Sequence, residues 1–125
     1  MYNMILDSDS YKLSHAQQFP PNTTGMFSYL ESRGGKYNHT VFFGLQMLLK
    51  KYFCHQTNGE GWVMNDIDIS EAEQFSQAHG LPFNRAGWEY ILKLEYLPFT
   101  IRAVPEGSVI PTHNALMTVE SIDPQ

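Results

Sequence analysis

The sequence has little cysteine, few cations and no long apolar run. Its 125 residues include one cysteine, Cys54, so no internal disulfide can form, and its apolar surroundings favour a buried, inert thiol. The longest apolar stretch, Val41–Leu49, falls far below the roughly 20 residues that a membrane-spanning helix needs. Lysine and arginine total 8 against 13 acidic residues, and the net charge of −5 disfavours a nucleic-acid or anionic-membrane partner. Because the start at Met1–Asp7 also has no basic flank, we expect a cytoplasmic protein without a targeting segment.

Motifs of the common catalytic and metal sites are also absent. There is no Gly-x-x-x-x-Gly-Lys phosphate loop, no dinucleotide fingerprint after a strand and no paired-histidine zinc helix. The histidines are scattered without metal-ligand spacing, and Cys54 has no neighbour that would activate it as a nucleophile. We therefore predict no metal site and no bound cofactor in this chain. The five histidines are His15, His39, His55, His79 and His113.

The composition is that of a folded domain. Hydrophobic residues make up 42% and aromatic residues 14% of the chain, which is too rich in apolar surface for a disordered segment. A chain of this length can bury a core of its own but is short for two. We predict a single domain over residues 1–125.

The first third of the chain predicts a helix followed by a strand. Ser8 or Asp9 can cap a helix start, and Pro20–Pro21 ends the helix because proline lacks the amide hydrogen and restricts the residue before it. From Gly25 to Arg33 the side chains alternate between two faces as in a strand, which Gly34–Gly35 ends. Phe27 and Tyr29 share one face, and Met26, Ser28 and Leu30 share the other.

The middle of the chain predicts three more helices. The first, Val41–Phe53, carries one apolar stripe. The second begins near Asn65 or Asp66 and continues to Gly80, and the third follows a cap at Asn84. The side chains expected to face inward are Val41, Leu45, Leu48, Leu49 and Tyr52 in the first, Ile69, Ala72, Phe75 and His79 in the second, and Trp88, Ile91 and Leu92 in the third.

The last third predicts strands at Pro98–Val104, Val109–Ile110 and Ala115–Glu120, with turns between them. Strands at both ends of a helical middle indicate an α+β fold with a mixed or antiparallel sheet and three to four helices. Lipoyl and biotinyl carriers also have a hairpin of this kind. Their attachment lysine is missing from the turn at Pro111–Asn114, so we predict a structural hairpin.

The most unusual chemistry lies between Asp9 and Arg33. An aspartate and a tyrosine, Tyr11, stand at the helix start, and a guanidinium stands at the strand end. Each has an ordinary structural interpretation, because such a tyrosine most often packs in the core, such an aspartate most often caps, and such an arginine is often a solvated strand end.

Together with many other segments in the same order along the chain, these residues resemble the amino-terminal region of nicotinamide phosphoribosyltransferases. The matching segments cover nearly the whole chain. They are Asp9–Lys12, His15, Phe19–Thr23, Ser28–Tyr29, Glu31, Arg33, Thr40–Phe42, Gly44–Gln46, Phe83–Asn84, Gly87–Trp88, Tyr90–Leu92, Ala103–Gly107, Val109–Pro111 and Thr118–Glu120.

The resemblance implies the N-terminal domain of a type II phosphoribosyltransferase. That family makes nicotinamide mononucleotide and diphosphate from nicotinamide and phosphoribosyl diphosphate, with magnesium, in the salvage route to NAD. It works as a homodimer with shared active sites. By this resemblance Tyr11 stacks on the pyridine ring across the subunit interface, Asp9 lies beside it near the nucleotide, and Arg33 contacts the phosphates.

The family enzyme is several times longer than this chain, and its barrel-like catalytic domain has no counterpart here. Because Ser121–Gln125 contains neither a helix cap nor a disordered tail, we expect the sequence to be part of a longer enzyme, with no catalytic residue of its own and no activity alone. The alternatives are a free-standing interaction or regulatory module that kept the fold without catalysis, and a domain of a related transferase that acts on nicotinate.

Overall fold

The computed structural model of the chain describes residues 3–53 and 64–123. The chain divides into two compact units, Met1–Pro21 with Leu49–Leu97 and Asn22–Leu48 with Pro98–Gln125. The single domain over residues 1–125 stays a prediction. The inert thiol expected at Cys54 lies outside the described residues.

Helices and antiparallel sheets make up the described residues, which confirms the α+β class. The helices are α1 (Leu45–Tyr52), α2 (Asp66–Ala78) and α3 (Arg85–Leu94), with more tightly wound 3-10 helices at Met4–Leu6 and Ser10–Gln18. The strands are β1 (Phe27–Glu31), β2 (His39–Val41), β3 (Phe99–Ala103), β4 (Val109–Pro111) and β5 (Ala115–Ser121).

Helix α2 begins where its local sequence predicts. The Asn65 side chain accepts hydrogen bonds from the amides of Ile67 (2.8 Å) and Asp68 (3.2 Å), while the Asp68 carboxylate accepts one from the Asn65 amide (2.9 Å). This reciprocal capping box satisfies amides that have no partner inside the helix. At the other end, Gly80 takes a φ of +69°, a conformation that glycine adopts without steric cost and that ends the helix.

The core of the first unit lies between α2, α3 and the N-terminal segment. Ile69 and Ala72 of α2 are completely buried, and α3 packs against the same cluster through Trp88, Ile91 and Leu92, as its spacing predicts. The buried cluster consists of Ile5, Leu13, Met64, Ile69 and Ala72, with Leu6, Phe83, Trp88, Ile91 and Leu92 packed around it.

An ion-pair network joins α2 to α3 at the edge of this core. Arg85 lies 2.6 Å from a Glu73 carboxylate oxygen through Nη1 and 2.7 Å from Glu89 through Nε. The hydrogen bond to Glu73, followed by that to Glu89, raises the pKa of Arg85 above its ordinary value. One guanidinium thus connects the start of α3 to the middle of α2.

The second unit contains two antiparallel sheets. Strand β5 lies in the centre of a three-stranded sheet with the order β1-β5-β3, and the register pairs Phe27 with Glu120 and Phe99 with Ser121. A register shift follows Leu30 in β1. Strands β2 and β4 form a separate two-stranded sheet.

Several predicted details are wrong. Val41 lies in β2 rather than in a helix, because it pairs with Val109 and because Gly44, at φ +100°, separates the strand from α1. Phe75 of α2 is exposed, as is His79 directly after the helix, and Ser76 is buried in their place. The hairpin predicted around Pro111–Asn114 is also wrong, since β4 pairs with β2 and β5 pairs with β1 and β3.

The first predicted helix exists, but its predicted cap is wrong. The segment Ser10–Gln18 is a 3-10 helix that begins with a hydrogen bond from the Lys12 amide to the Asp9 carbonyl (2.9 Å). The Asp9 side chain accepts no capping hydrogen bond, because its carboxylate points instead toward Lys12 Nζ at 3.5 Å. The Ser8 hydroxyl donates to the Asp9 carbonyl (3.4 Å) rather than accepting from the helix.

Candidate functional site

Tyr11 projects from the 3-10 helix into solvent. Its side chain is 55% exposed, while Leu13 of the same helix is buried in the core. The ring of His15 is its aromatic neighbour, with the two ring centroids 5.3 Å apart and the planes tilted by 52°. Tyr11 is therefore not packed into the core of the described residues, and part of its surface is open to solvent.

Asp9 lies beside Tyr11 at the same helix start and is also exposed. Its contact with Lys12 is an exposed ion pair between residues three positions apart, a type that contributes little to stability. The Asp9 carboxylate can therefore exchange Lys12 for a ligand donor with little loss of stability.

Arg33 follows β1 by two residues and lines a cleft of about 660 Å³ in the second unit. Within residues 3–53 and 64–123, no ion pair includes Arg33. The walls of the cleft come from the loop after β1 and from the turn between β4 and β5. The lining residues are Arg33, Gly34, Gly35, Lys36, Tyr37, Asn38, Thr112 and His113.

Two backbone hydrogen bonds hold the two walls of this cleft together. The His113 amide donates to the Ser32 carbonyl (2.8 Å), and the Thr112 amide donates to the Asn38 carbonyl (3.0 Å). The loop that carries Arg33 is thus fastened at both ends to the β4–β5 turn. A cleft held in this way presents its side chains to a ligand at a lower entropic cost than a free loop would.

Glu106 caps the start of α1 although it lies about 60 residues later in the sequence. Its carboxylate accepts hydrogen bonds from the amides of Gly44 (2.6 Å) and Gln46 (3.0 Å), at sequence separations of 62 and 60 residues. The hydrogen bond from Gln46, followed by that from Gly44, lowers the pKa of Glu106. This carboxylate supplies the cap that the sequence around Gly44 lacks, and it ties α1 to the segment before β4.

The Glu106 cap makes folding depend on pH. In the folded chain the pKa of Glu106 lies below its ordinary value of 4.5. The ionised carboxylate therefore stabilises the fold fully above pH 4.5, and this stabilisation is lost as the pH falls through the lowered pKa. We expect Glu106→Gln to lower the free energy of unfolding at pH 7. The difference from the wild type should shrink below pH 4.5 and can be followed by urea unfolding at several pH values.

Glu120→Gln is the matched control for that series, since Glu120 is an exposed acid of β5 in the same unit. It should show little difference from the wild type at pH 7. A Glu106→Gln difference that stays constant from pH 7 to pH 3 would contradict the capping role of the carboxylate.

No group of three or more histidine, cysteine, aspartate or glutamate residues in the described part of the chain could hold a metal ion. In the same residues, no helix is both long enough and apolar enough to cross a membrane.

The matches to known proteins cover almost the whole chain. The model of the nicotinamide phosphoribosyltransferase N-terminal domain family matches residues 3–101. The chain belongs to this family. A nicotinamide phosphoribosyltransferase of Xanthomonas campestris pv. campestris is 50% identical over 123 residues, which are 97% of this chain and 25% of the relative.

More distant nicotinamide phosphoribosyltransferases match as well. Those of Acinetobacter baylyi and Mycoplasma pneumoniae are 27% and 26% identical and cover 89% and 95% of this chain. The chain spans 24% and 30% of their lengths. It therefore corresponds to about a quarter of the curated relatives that it matches.

The residues predicted from the family resemblance lie at two places. Asp9 and Tyr11 share one helix start in the first unit, and Arg33 lines the cleft of the second. Three of the residues that line the cleft with Arg33 were not predicted from the sequence: Lys36, Thr112 and His113. For Lys36 a signal exists in the run Arg33–Lys36, where two cations flank two glycines, whereas the β4–β5 turn reaches the cleft only through tertiary structure.

Proposed function

We propose that this chain is the N-terminal part of an enzyme that transfers the phosphoribosyl group of phosphoribosyl diphosphate to nicotinamide. The products are nicotinamide mononucleotide and diphosphate, and the reaction belongs to the salvage of NAD. The observation that carries the proposal is the family match over residues 3–101, supported by 50% identity to a named nicotinamide phosphoribosyltransferase.

Tyr11 has the chemistry that the nicotinamide ring requires. The ring becomes a cationic pyridinium when it is ribosylated, so a tyrosine face gains a cation–π attraction as the charge develops. This attraction is worth about 1 kcal/mol or more where water is excluded. Because it grows during the reaction, it favours the transition state over the bound substrate. The 55% exposure of Tyr11 is consistent with a ring that is lent to a site outside its own core.

Arg33 has the chemistry that phosphate requires. A guanidinium can donate two parallel, charge-assisted hydrogen bonds to a phosphate group, a geometry that a lysine ammonium does not reproduce. Asp9 would lie near the nucleotide beside Tyr11. We assign all three residues to substrate binding and none to bond making or breaking.

The remaining parts of the site belong to sequence that this chain does not contain. The relatives are about four times as long, and a transferase site needs its base-binding and phosphate-binding groups held in one geometry before reaction. Magnesium would enter with phosphoribosyl diphosphate, and the described residues contain no cluster that fits it. We also propose a homodimer with shared active sites, located in the cytoplasm.

The 125-residue chain by itself should be catalytically silent. We expect no nicotinamide mononucleotide above background when the chain is incubated with nicotinamide, phosphoribosyl diphosphate and magnesium, measured by chromatography. The natural gene product that contains this sequence should form it under the same conditions.

Three results would contradict the proposal. Turnover by the 125-residue chain alone would overturn its dependence on further sequence, and a natural gene product without transferase activity would favour a binding or regulatory module. Competition between nicotinamide and nicotinate decides the substrate, and preferred use of nicotinate would overturn the nicotinamide assignment.

A further inference from the structure

The cleft beside Arg33 holds more positive charge than one phosphate contact explains. The chain as a whole is acidic, with 13 acids against 8 lysines and arginines, yet the cleft is lined by two cations, Arg33 and Lys36, and by no acid. Such a local reversal of charge attracts an anion, because no lining carboxylate competes for the cations. The charge distribution is therefore that of an anion site.

His113 adds a third group on the opposite wall. A Cβ atom at Gly34 would lie 3.8 Å from His113 Nε2, so the imidazole borders the backbone directly after Arg33. The glycine itself leaves this space open, and Gly35 has no neighbour within 4 Å of the corresponding position. An anion can thus approach the backbone at Gly34–Gly35 between a guanidinium and an imidazole.

The backbone of His113 is held in an uncommon conformation. Its φ of +64° lies in the left-handed region, which glycine enters without a steric cost and which histidine enters more readily than most other residues. The turn is fixed by the Asn114 side chain, which donates to the carbonyls of Pro111 and Thr112, both at 3.2 Å. The fold thus keeps an imidazole at a position where glycine would be less strained.

Lys36 is in contact with its sequence neighbour Tyr37, which also lines the cleft. Its ammonium lies 5.5 Å from the centroid of the Tyr37 ring, an attraction that restrains a flexible side chain without neutralising its charge. No ion pair among the residues that the structure describes includes Lys36, so its charge is open to an anion.

We propose that Lys36 and His113 act together with Arg33 to bind a diphosphate group in this cleft. The choice of diphosphate as the ligand rests on the proposed function. The family resemblance assigns the phosphate contact to Arg33 alone, and the inference adds Lys36 and His113, which come from two separate segments. Arg33 supplies the two-pronged hydrogen bond, Lys36 a point charge, and His113 an imidazole N–H. Diphosphate fits three donors better than a single phosphate does, because its charge extends over two phosphorus centres.

The test is an NMR titration of the 125-residue chain with inorganic diphosphate, inorganic phosphate and ribose 5-phosphate in separate arms. We expect the amide signals of Gly34, Gly35 and His113 to shift with diphosphate at concentrations at least about tenfold lower than with either of the other anions. Equal or tighter binding of ribose 5-phosphate would overturn the diphosphate assignment. Shifts confined to other parts of the chain would overturn the site.

Variants separate the two added residues from general electrostatics. Lys36→Gln and His113→Gly should each raise the dissociation constant of diphosphate about tenfold, while Lys93→Gln, which removes a cation from α3 in the other unit, should change it less than about twofold. His113→Gly places glycine at a position that favours it, so loss of binding in this variant cannot follow from backbone strain. His113→Asn gives a second variant without the ring that also tolerates the conformation. Unchanged affinity in both Lys36→Gln and the His113 variants would overturn the inference.

The test of diphosphate binding in the cleft can fail independently of the test of transferase activity. A natural gene product that forms nicotinamide mononucleotide while diphosphate leaves Gly34 and His113 unaffected would overturn the cleft assignment alone. Diphosphate binding at the cleft in a protein without transferase activity would support the anion site and overturn the proposed function.

Discussion

Replacing Tyr11 with alanine is expected to lower kcat/KM for nicotinamide in the natural gene product by one to two orders of magnitude. The variant loses the stacking of an aromatic ring on a heterocyclic base, which is worth about 1–3 kcal/mol, together with the cation–π attraction to the pyridinium. Because the side chain is 55% exposed and lies outside the core, the variant should unfold at nearly the same denaturant concentration as the wild type. Steady-state kinetics with varied nicotinamide and urea unfolding measure the two quantities.

Two variants serve as controls for Tyr11→Ala. Tyr11→Phe keeps the ring and should retain most of the activity, while Tyr96→Ala removes another exposed tyrosine, 48% accessible, from the same unit. Unchanged kinetics in Tyr11→Ala would remove Tyr11 from the substrate site. A loss of equal size in Tyr96→Ala would show that the effect is not specific to Tyr11.

The ring of His15 is in contact with that of Tyr11. The two ring centroids lie 5.3 Å apart, with His15 on the next turn of the 3-10 helix, and the Ser14 hydroxyl donates to the Tyr11 carbonyl at 2.9 Å. The ring contact restricts the orientations of the Tyr11 side chain and the hydroxyl contact holds its backbone, so less entropy is lost when a ligand binds.

Replacing Ile69 with alanine is expected to lower the free energy of unfolding by about 2–5 kcal/mol, a large share of the stability of a domain of this size. Ile69 is completely buried where α2 meets the N-terminal segment and α3, so truncation removes apolar contacts and leaves a cavity. Urea or thermal unfolding followed by circular dichroism measures the change.

Ile67 offers a control with the same residue type on the same helix. Its side chain is 73% exposed, so Ile67→Ala should change the free energy of unfolding by less than about 0.5 kcal/mol. Equal losses in the two variants would contradict the burial pattern of α2. If Ile69→Ala lowers the free energy of unfolding only slightly while truncation of another residue in the buried cluster lowers it as expected, the neighbouring side chains fill the space that Ile69 leaves.

The fold was predictable where short-range chemistry decides it. The cap at Asn65, the end of α2 at Gly80 and the end of the first helix before Pro20 each depend on residues within one helical turn. The inward face of α3 follows from the spacing of Trp88 and Ile91. These features are confirmed, because capping and amphipathic spacing act over three or four residues.

The prediction failed where a distant strand or side chain competes with local preference. Val41 continues an apolar stripe at helical spacing, but pairing with Val109 gives its backbone hydrogen bonds in a strand. The Asp9 carboxylate is near the amides that it was expected to cap, yet it faces Lys12. Phe75 fits the inward spacing of α2, although the rotation of that helix buries Ser76 instead.

By itself, the sequence determined the family, the α+β class and three substrate-contact candidates, Asp9, Tyr11 and Arg33. A family match and a helical period are properties of residue order, so no coordinates are needed to identify them. Tertiary structure alone decided that His113 lies beside Gly34, and that Glu106 caps a helix about 60 residues before it. Such pairs depend on strand pairing and on the path of the loops between them, because residues far apart in sequence meet only when the whole unit folds.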